Sequence, residues 1–313
     1  PCPPEVLKAL GKQMVDHRGK EFQELLKTVT AKMQTIFQTR NEVLILTGSG
    51  TGGLEAAIVN MLSPGDKVLS ASNGVFGDRF AEIAQTFGAN VTRLKFEMGK
   101  PADPNAIRQA LKADPARKAV MVTHNETSTG VTSDMAAIST VVKEFDKLLL
   151  VDAISSLSSI DLQVDNWKLD VVVTGSQKGW MVPPGLTFVS VSEKAWKAHA
   201  EAKMPRYYWD FSKARKFLAD FQTPWTPAVS ILYGLGVSLD MILAEGLPNI
   251  FTRHAKIAKM ARDGVKAMGF EILPDEKYAS NTVTAVKAAG KVDVPKLRQI
   301  LRDEHRVVIA GGQ

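Results

Sequence analysis

From residue 43 onward the chain alternates short β-rich runs with helix-length amphipathic segments, a rhythm that few folds accept. The runs 43–47, 67–70, 91–96, 118–123, 148–152, 170–174 and 186–191 read as strands, rich in Val, Leu and Ile. Between them, 51–62, 76–88, 104–113 and 134–146 carry apolar residues at helical spacing. This alternation predicts an α/β fold, a mostly parallel, seven-stranded sheet sandwiched by helices. Parallel strands covered on both faces leave a crevice beyond their carboxyl ends as the place for ligands. The polar residues that follow each strand are therefore the candidates for a site.

The flanks divide the chain into three parts. Residues 1–18 read as an extended N-terminal arm, and 20–39 as an amphipathic helix near the start of a large unit over 19–245. Val229 to Ala244 is a helix rich in Leu, Ile and Gly, and Gly246-Leu247-Pro248 breaks it. From 246 to 313 a smaller α+β unit is expected, with helices at 249–268 and 294–304. Its strands are expected at Phe270–Leu273, Thr282–Val286 and Val307–Ile309. This is too little material to close a layered unit, so the smaller unit reads as truncated at Ala310-Gly311-Gly312-Gln313.

At 313 residues and 45% hydrophobic, the chain can bury one large core and a smaller companion. No apolar run is long enough to span a bilayer, and Pro1-Cys2-Pro3-Pro4 is no signal peptide. The single cysteine, Cys2, excludes an internal disulfide and a multi-thiolate metal cluster, which points to a cytoplasmic protein. A net charge of +6 is scattered through helices beside acids, with no basic block interleaved with aromatics. Neither nucleic acid nor membrane is expected as a partner.

Three loops after strands carry polar or glycine-rich motifs. Thr47-Gly48-Ser49-Gly50-Thr51-Gly52-Gly53 leads from a strand into a helix, where exposed N–H groups favour a phosphate and Ser49 and Thr51 add hydroxyls. Gly48, Gly50 and Gly53 also fit the dinucleotide pattern G-x-G-x-x-G, which motivates a competing reading as a dinucleotide-dependent oxidoreductase. That fold wants an acid closing the second strand, and here Val68-Leu69 runs into Ser70-Ala71-Ser72-Asn73-Gly74. A single phosphate is the better ligand. Phe76, in Asn73-Gly74-Val75-Phe76-Gly77, either stacks on a flat ring or starts the core face of its helix. In Thr123-His124-Asn125-Glu126-Thr127-Ser128-Thr129-Gly130, the hydroxyls of Thr127 or Ser128 are candidate cofactor ligands. His124 reads as a satisfied structural histidine and Glu126 as a loop tie.

Two further strand ends decide the chemistry. Asp152 closes Leu148-Leu149-Leu150-Val151, where an unpaired carboxylate is costly. Lys178 follows Asp170-Val171-Val172-Val173 in Thr174-Gly175-Ser176-Gln177-Lys178-Gly179, a poor setting for a solvated charge. A lysine and a carboxylate at successive strand ends meet the needs of pyridoxal 5'-phosphate. The lysine forms a Schiff base and the carboxylate keeps the pyridine nitrogen protonated. Partial burial is expected to make Lys178 a better nucleophile, with Ser176 and Gln177 reaching the phosphate or bracing the lysine.

Taken in order, Gly-Ser-Gly-Thr-Gly-Gly, Thr-His-Asn-Glu-Thr-Ser-Thr-Gly, Leu-Leu-Val-Asp-Ala-Ile-Ser-Ser and Thr-Gly-Ser-Gln-Lys resemble the class V aminotransferases of fold type I. Within them the chain is similar to the alanine–glyoxylate, serine–glyoxylate and serine–pyruvate group. The resemblance spans essentially the full chain. It implies transamination between serine or alanine and glyoxylate or pyruvate, with Lys178 and Asp152 as catalytic residues. It also implies that Gly50, Thr51 and Gln177 hold the phosphate, Phe76 stacks on the ring and Thr127 lies near the phenolate. A homodimer with shared sites follows, in which Thr226 of Thr223-Pro224-Trp225-Thr226-Pro227 completes the neighbouring phosphate site.

The chain departs from the resemblance at two places. Relatives begin with a Pro-Gly-Pro-type segment, and they continue past Gly-Gly to an Arg-Ile-Gly motif whose arginine clamps the substrate carboxylate. This chain is expected to start just beyond the first or in a variant of it, and the arginine of the second has no counterpart in these residues. Other readings on the same fold are a phosphonate aminotransferase, a cysteine desulfurase, for which Cys2 is badly placed, and a cofactor-binding protein without turnover. Some bacterial relatives carry the name of a soluble hydrogenase subunit, but no cluster or nickel ligands are seen and no metal site is expected.

Overall fold

Strands β1 (Glu42–Gly48), β2 (Lys67–Ser72), β3 (Asn90–Lys95), β4 (Ala119–Thr123), β5 (Asn125–Glu126), β6 (Val131–Thr132), β7 (Leu148–Asp152), β8 (Val171–Gly175) and β9 (Gly185–Val191) occur in that order. All except the short β5–β6 hairpin join one seven-stranded sheet in the order β1-β9-β8-β7-β4-β2-β3. Only β9 runs against the rest, pairing antiparallel with both β1 and β8. The expected sheet is therefore present, each strand within two residues of its predicted bounds. The computed structural model describes residues 2–288, 290 and 292–312. Pro1 of the expected arm and Ala289, Lys291 and Gln313 of the expected smaller unit lie outside the described residues.

Alternation along the strands feeds two cores. Val120, Val122, Leu149, Val151 and Val172 face one side with the helices Lys20–Phe37, Pro104–Ala113, Met135–Glu144 and Val229–Glu245. Met121, Leu148, Leu150, Val171 and Val173 face the other, with the helices Gly50–Met61 and Val75–Thr86. Burial on both faces leaves the strand ends as the sheet's accessible polar region. No single described helix is long and apolar enough to cross a membrane. Val229–Glu245 and Leu247–Ala267 pass that test only jointly, bent by 86°. The first of them lies in the core.

Several expectations at the flanks change. Residues Pro4–Leu10 form a helix rather than an extended arm, because proline suits its first turn and Val6 and Ala9 bury themselves. Gly234 admits this helix closely, since a β-carbon there would stand 2.9 Å from Leu10 Cδ2. Helices Glu193–Glu201 and Phe211–Leu218 were not anticipated; each starts at a side-chain cap, Ser192 and Asp210. After residue 246, Glu271–Ile272 pairs with Val286–Lys287, and Val294–His305 is helical. Of the expected strand Thr282–Val286 only Val286 joins a ladder, Thr282 lies in a bend, and Val307–Ile309 is irregular and exposed.

Candidate active site

The Gly50–Met61 helix starts directly after β1. Ser49 is its N-cap and accepts the Gly52 N–H at 3.4 Å, which places its hydroxyl at the helix start. Gly50 is required by packing, since a β-carbon there would stand 2.6 Å from Ile154 Cδ1. First-turn N–H groups lack carbonyl partners inside a helix, and those of Gly50 and Thr51 lie at its positive end. Across the gap, a β-carbon on Gly175 would sit 3.1 Å from Gln177 Oε1 and 3.4 Å from Gly50 Cα. Gly50 and Gln177 thus share one corner, and Thr51 and Gln177 are both exposed there. This corner suits a phosphate.

Phe76 sits in the first turn of the Val75–Thr86 helix, half-buried, with the Arg79 guanidinium 4.8 Å from its ring centroid. Glu126 fixes that turn. Its Oε2 accepts the N–H groups of Phe76 at 3.1 Å and Gly77 at 3.0 Å, and its Oε1 accepts Ser128 N–H at 3.1 Å and Ser128 Oγ–H at 2.5 Å. Ser128 also accepts Val75 N–H at 3.0 Å, which commits its hydroxyl to the helix end. Glu126 is fully buried and ties loops together, as expected. Glu126→Ala strands three N–H donors and is expected to cost about 3 kcal/mol. A urea titration checks this, with a lower midpoint at unchanged slope as the expected result and an unchanged midpoint as the contrary one.

Asp152 closes β7, opposite Thr123 of β4 and Val173 of β8. It is 3% exposed. Its Oδ1 accepts Ile154 N–H at 2.9 Å, and Oδ2 has no hydrogen-bond partner among the described residues. Burial pushes the carboxyl up to about 7, because a charge in this setting loses its hydration. A cationic ring nitrogen carrying a proton would supply what Oδ2 lacks, so the site fits a pyridoxal cofactor on this side. His124 next to it is also buried, and burial lowers it to about 4. It is structural but not satisfied, since Nδ1 has no partner.

The Lys178 loop is clamped on both sides. Ser176 Oγ donates to Pro183 O at 2.7 Å and accepts Leu186 N–H at 3.2 Å, so Ser176 braces the loop. Trp180 is fully buried between Phe37 and Phe188, and its Nε1–H reaches Thr174 Oγ1 at 3.0 Å. Met181 holds a left-handed φ of 56° and donates its N–H to Lys178 O at 3.1 Å. Between these anchors Lys178 is exposed rather than partly buried, because the loop projects past the end of β8. Its ammonium makes no ion pair or hydrogen bond among the described residues, and its charge acts on Asp152.

Thr127 donates its hydroxyl to Ser155 Oγ at 3.0 Å, and Ser155 donates to Asn125 O at 2.8 Å. Sequence reasoning missed Ser155, although it stands three residues after Asp152 in a motif already singled out. Thr226 stands apart from this assembly. It is exposed, in a segment whose Thr223 and Pro224 lie beside Leu44 and Ile45 of the edge strand β1.

Residues 5–313 match the family described as Aminotransferase class-V. The chain belongs to the class-V aminotransferases. These enzymes depend on pyridoxal phosphate. This class-V aminotransferase is 44% identical to the soluble hydrogenase 42 kDa subunit of Anabaena cylindrica, covering 100% of this chain and 82% of the relative. It is 38% identical to serine–glyoxylate aminotransferase of Methylorubrum extorquens, covering 94% of this chain and 76% of that protein. The solved alanine–glyoxylate aminotransferase of a Nostoc species superposes with a TM-score of 0.96 at 28% identity, covering 100% of this chain and 84% of that one.

Proposed function

We propose that this protein binds pyridoxal 5'-phosphate and transfers an amino group from serine or alanine to glyoxylate or pyruvate. The observation that carries the reading is the buried Asp152, with one hydrogen bond among the described residues, beside the clamped loop that presents Lys178, unpaired among the described residues. When bound, the cofactor supplies an electron sink for the pair released as the substrate Cα–H bond breaks. The protein's own groups do the rest. Lys178 Nζ would hold the cofactor through its aldehyde carbon and, once freed by the substrate amine, would take the proton from the substrate Cα and deliver it to that cofactor carbon. Asp152 holds the ring nitrogen protonated, Phe76 stacks on the ring and Thr127 faces its phenolate side.

Gly50, Thr51 and Gln177 bind the phosphate, and Thr226 of the partner subunit completes that corner in a homodimer. Two features support the dimer. Thr226 is exposed, and beside it Trp225 stacks on the exposed Tyr207 and Tyr208 at 5.0 and 6.0 Å between ring centroids. A water-exposed aromatic ladder of this kind suits a protein interface. The single Cys2 suits a cytoplasmic enzyme.

The test is donor and acceptor profiling of the cofactor-loaded protein. Serine or alanine should convert the cofactor to its aminated form, and glyoxylate or pyruvate should reverse the change. If none of the four produced a spectral change, the substrate assignment would be wrong.

A further inference from the structure

A threonine far along the chain is bonded into the cofactor side of the site. Thr282 follows the Leu247–Ala267 helix, yet its Oγ1 donates to Ser155 O at 3.0 Å and accepts Asn125 Nδ2–H at 3.0 Å. The same Asn125 amide bonds Ser155 Oγ at 2.9 Å, and Thr132 Oγ1 holds Asn125 Oδ1 at 2.8 Å. Ser155 Oγ is the acceptor for Thr127. With donors from Thr127 and Asn125 and its own proton on Asn125 O, the Ser155 hydroxyl is fully used. One connected network therefore runs from Thr282 through Asn125 and Ser155 to Thr127.

The segment carrying Thr282 is itself pinned. Ser280 N–H donates to Gly130 O at 2.7 Å, and Val131 bridges Ala279. Gly130 has a left-handed φ of 67°, and a β-carbon there would meet Ala285 Cβ at 3.0 Å, so the two segments touch at backbone level. Arg262 is buried and reaches Ser280 O at 3.1 Å, tying this contact to the Leu247–Ala267 helix. These anchors already hold the segment in place. The Thr282 hydroxyl is therefore surplus to simple attachment, and it bonds only groups that orient Thr127 or its own neighbour Ser280.

We propose that Thr282 is a positioning residue for the cofactor, fixing the Thr127 hydroxyl through Asn125 and Ser155. The proposal rests on the cofactor reading above. Removing the Thr282 hydroxyl leaves an Asn125 N–H and the Ser155 carbonyl short of partners, so the Ser155 acceptor loses its fixed direction. Thr127, which gives its own proton to Ser155 Oγ, then loses that fixed acceptor, and its hydroxyl is no longer held in one orientation toward the cofactor's phenolate side.

The experiment compares wild type, Thr282→Val and Thr282→Ser. It reads the cofactor dissociation constant, the pH midpoint of the lysine-linked absorption band, and the urea midpoint of cofactor-free protein. Thr282→Val should bind cofactor about tenfold more weakly, the worth of one or two hydrogen bonds, and its spectral midpoint should shift. Thr282→Ser should restore both. If Thr282→Val lowered only the urea midpoint and left affinity and spectrum at wild-type values, the hydroxyl would be structural and the proposal overturned. If wild type itself showed no lysine-dependent band, the cofactor reading would fall first and take this inference with it.

Discussion

Lys178→Ala is expected to fold as the parent does and to lose turnover by about 10⁴-fold or more, because one side chain supplies both covalent attachment and proton transfer. Proton transfer by a positioned group is alone worth about 10²–10⁴-fold. Folding should be spared because the Lys178 ammonium is exposed and bonded to nothing among the described residues. Exposed substitutions of that kind usually change stability by no more than about 0.5 kcal/mol. The loop keeps its shape through Ser176 and Trp180, which the substitution does not touch. Single-turnover rates with serine or alanine, beside a urea titration of the same sample, separate the two effects. Substantial transamination by this variant would remove Lys178 from the chemistry.

Asp152→Asn should have opposite effects on the free protein and on turnover. A carboxyl held at about 7 in the fold, against about 4 in an unfolded chain, favours folding in its protonated form. The unfolded state releases that proton first, so stability falls as pH rises from about 4 to about 7 and stays low above that. Roughly three pH units correspond to about 4 kcal/mol. Asparagine keeps the Ile154 N–H bond but leaves an amide partly unpaired, so the net gain at pH 8 is about 2 kcal/mol in cofactor-free protein. Turnover should fall by about 10²–10⁴-fold, since the ring nitrogen loses its charged partner.

His124 makes the stability prediction sharper. Its folded value of about 4 lies below the unfolded value of about 6.5, so it contributes stability above pH 6.5 that is lost as pH falls toward 4. Between those limits Asp152 and His124 act with opposite signs, and wild type should change little on their account. Asp152→Asn should expose the His124 slope, with stability dropping by about 3 kcal/mol between pH 6.5 and 4 relative to wild type. Thermal melts of cofactor-free protein across this range provide the check. Parallel pH profiles for the two proteins would show that Asp152 is ionised normally in the fold.

The parts of the molecule that could be read in advance are those with a local pattern. Strands such as Leu148–Asp152 carry uninterrupted apolar runs, and helices such as Pro104–Ala113 carry their caps and their period within ten residues. The places of Asp152, Gly50 and Phe76 in the fold are legible, because each stands at a strand end or within a few residues of one. The Thr282–Asn125–Ser155 contacts were not, since hydroxyls and amides separated by up to 157 positions leave no spacing to recognise. Ser49 and Ser128 were legible as polar groups but not as caps, because a hydroxyl's partner depends on where the neighbouring helix starts. The exposure of Lys178 likewise depends on how far its loop projects past β8. Val307–Ile309 has the composition of a strand, yet among the described residues it finds no ladder to join.

The pairing of Lys178 with Asp152 at the ends of β8 and β7 is the centre of the account. Its most direct test is borohydride reduction of the cofactor-loaded protein, followed by peptide mapping of the phosphopyridoxyl group. The label is expected on the peptide carrying Lys178, absent from Lys178→Ala and reduced in Asp152→Asn at limiting cofactor. Label on a different lysine, or full labelling of Lys178→Ala, would contradict the pairing.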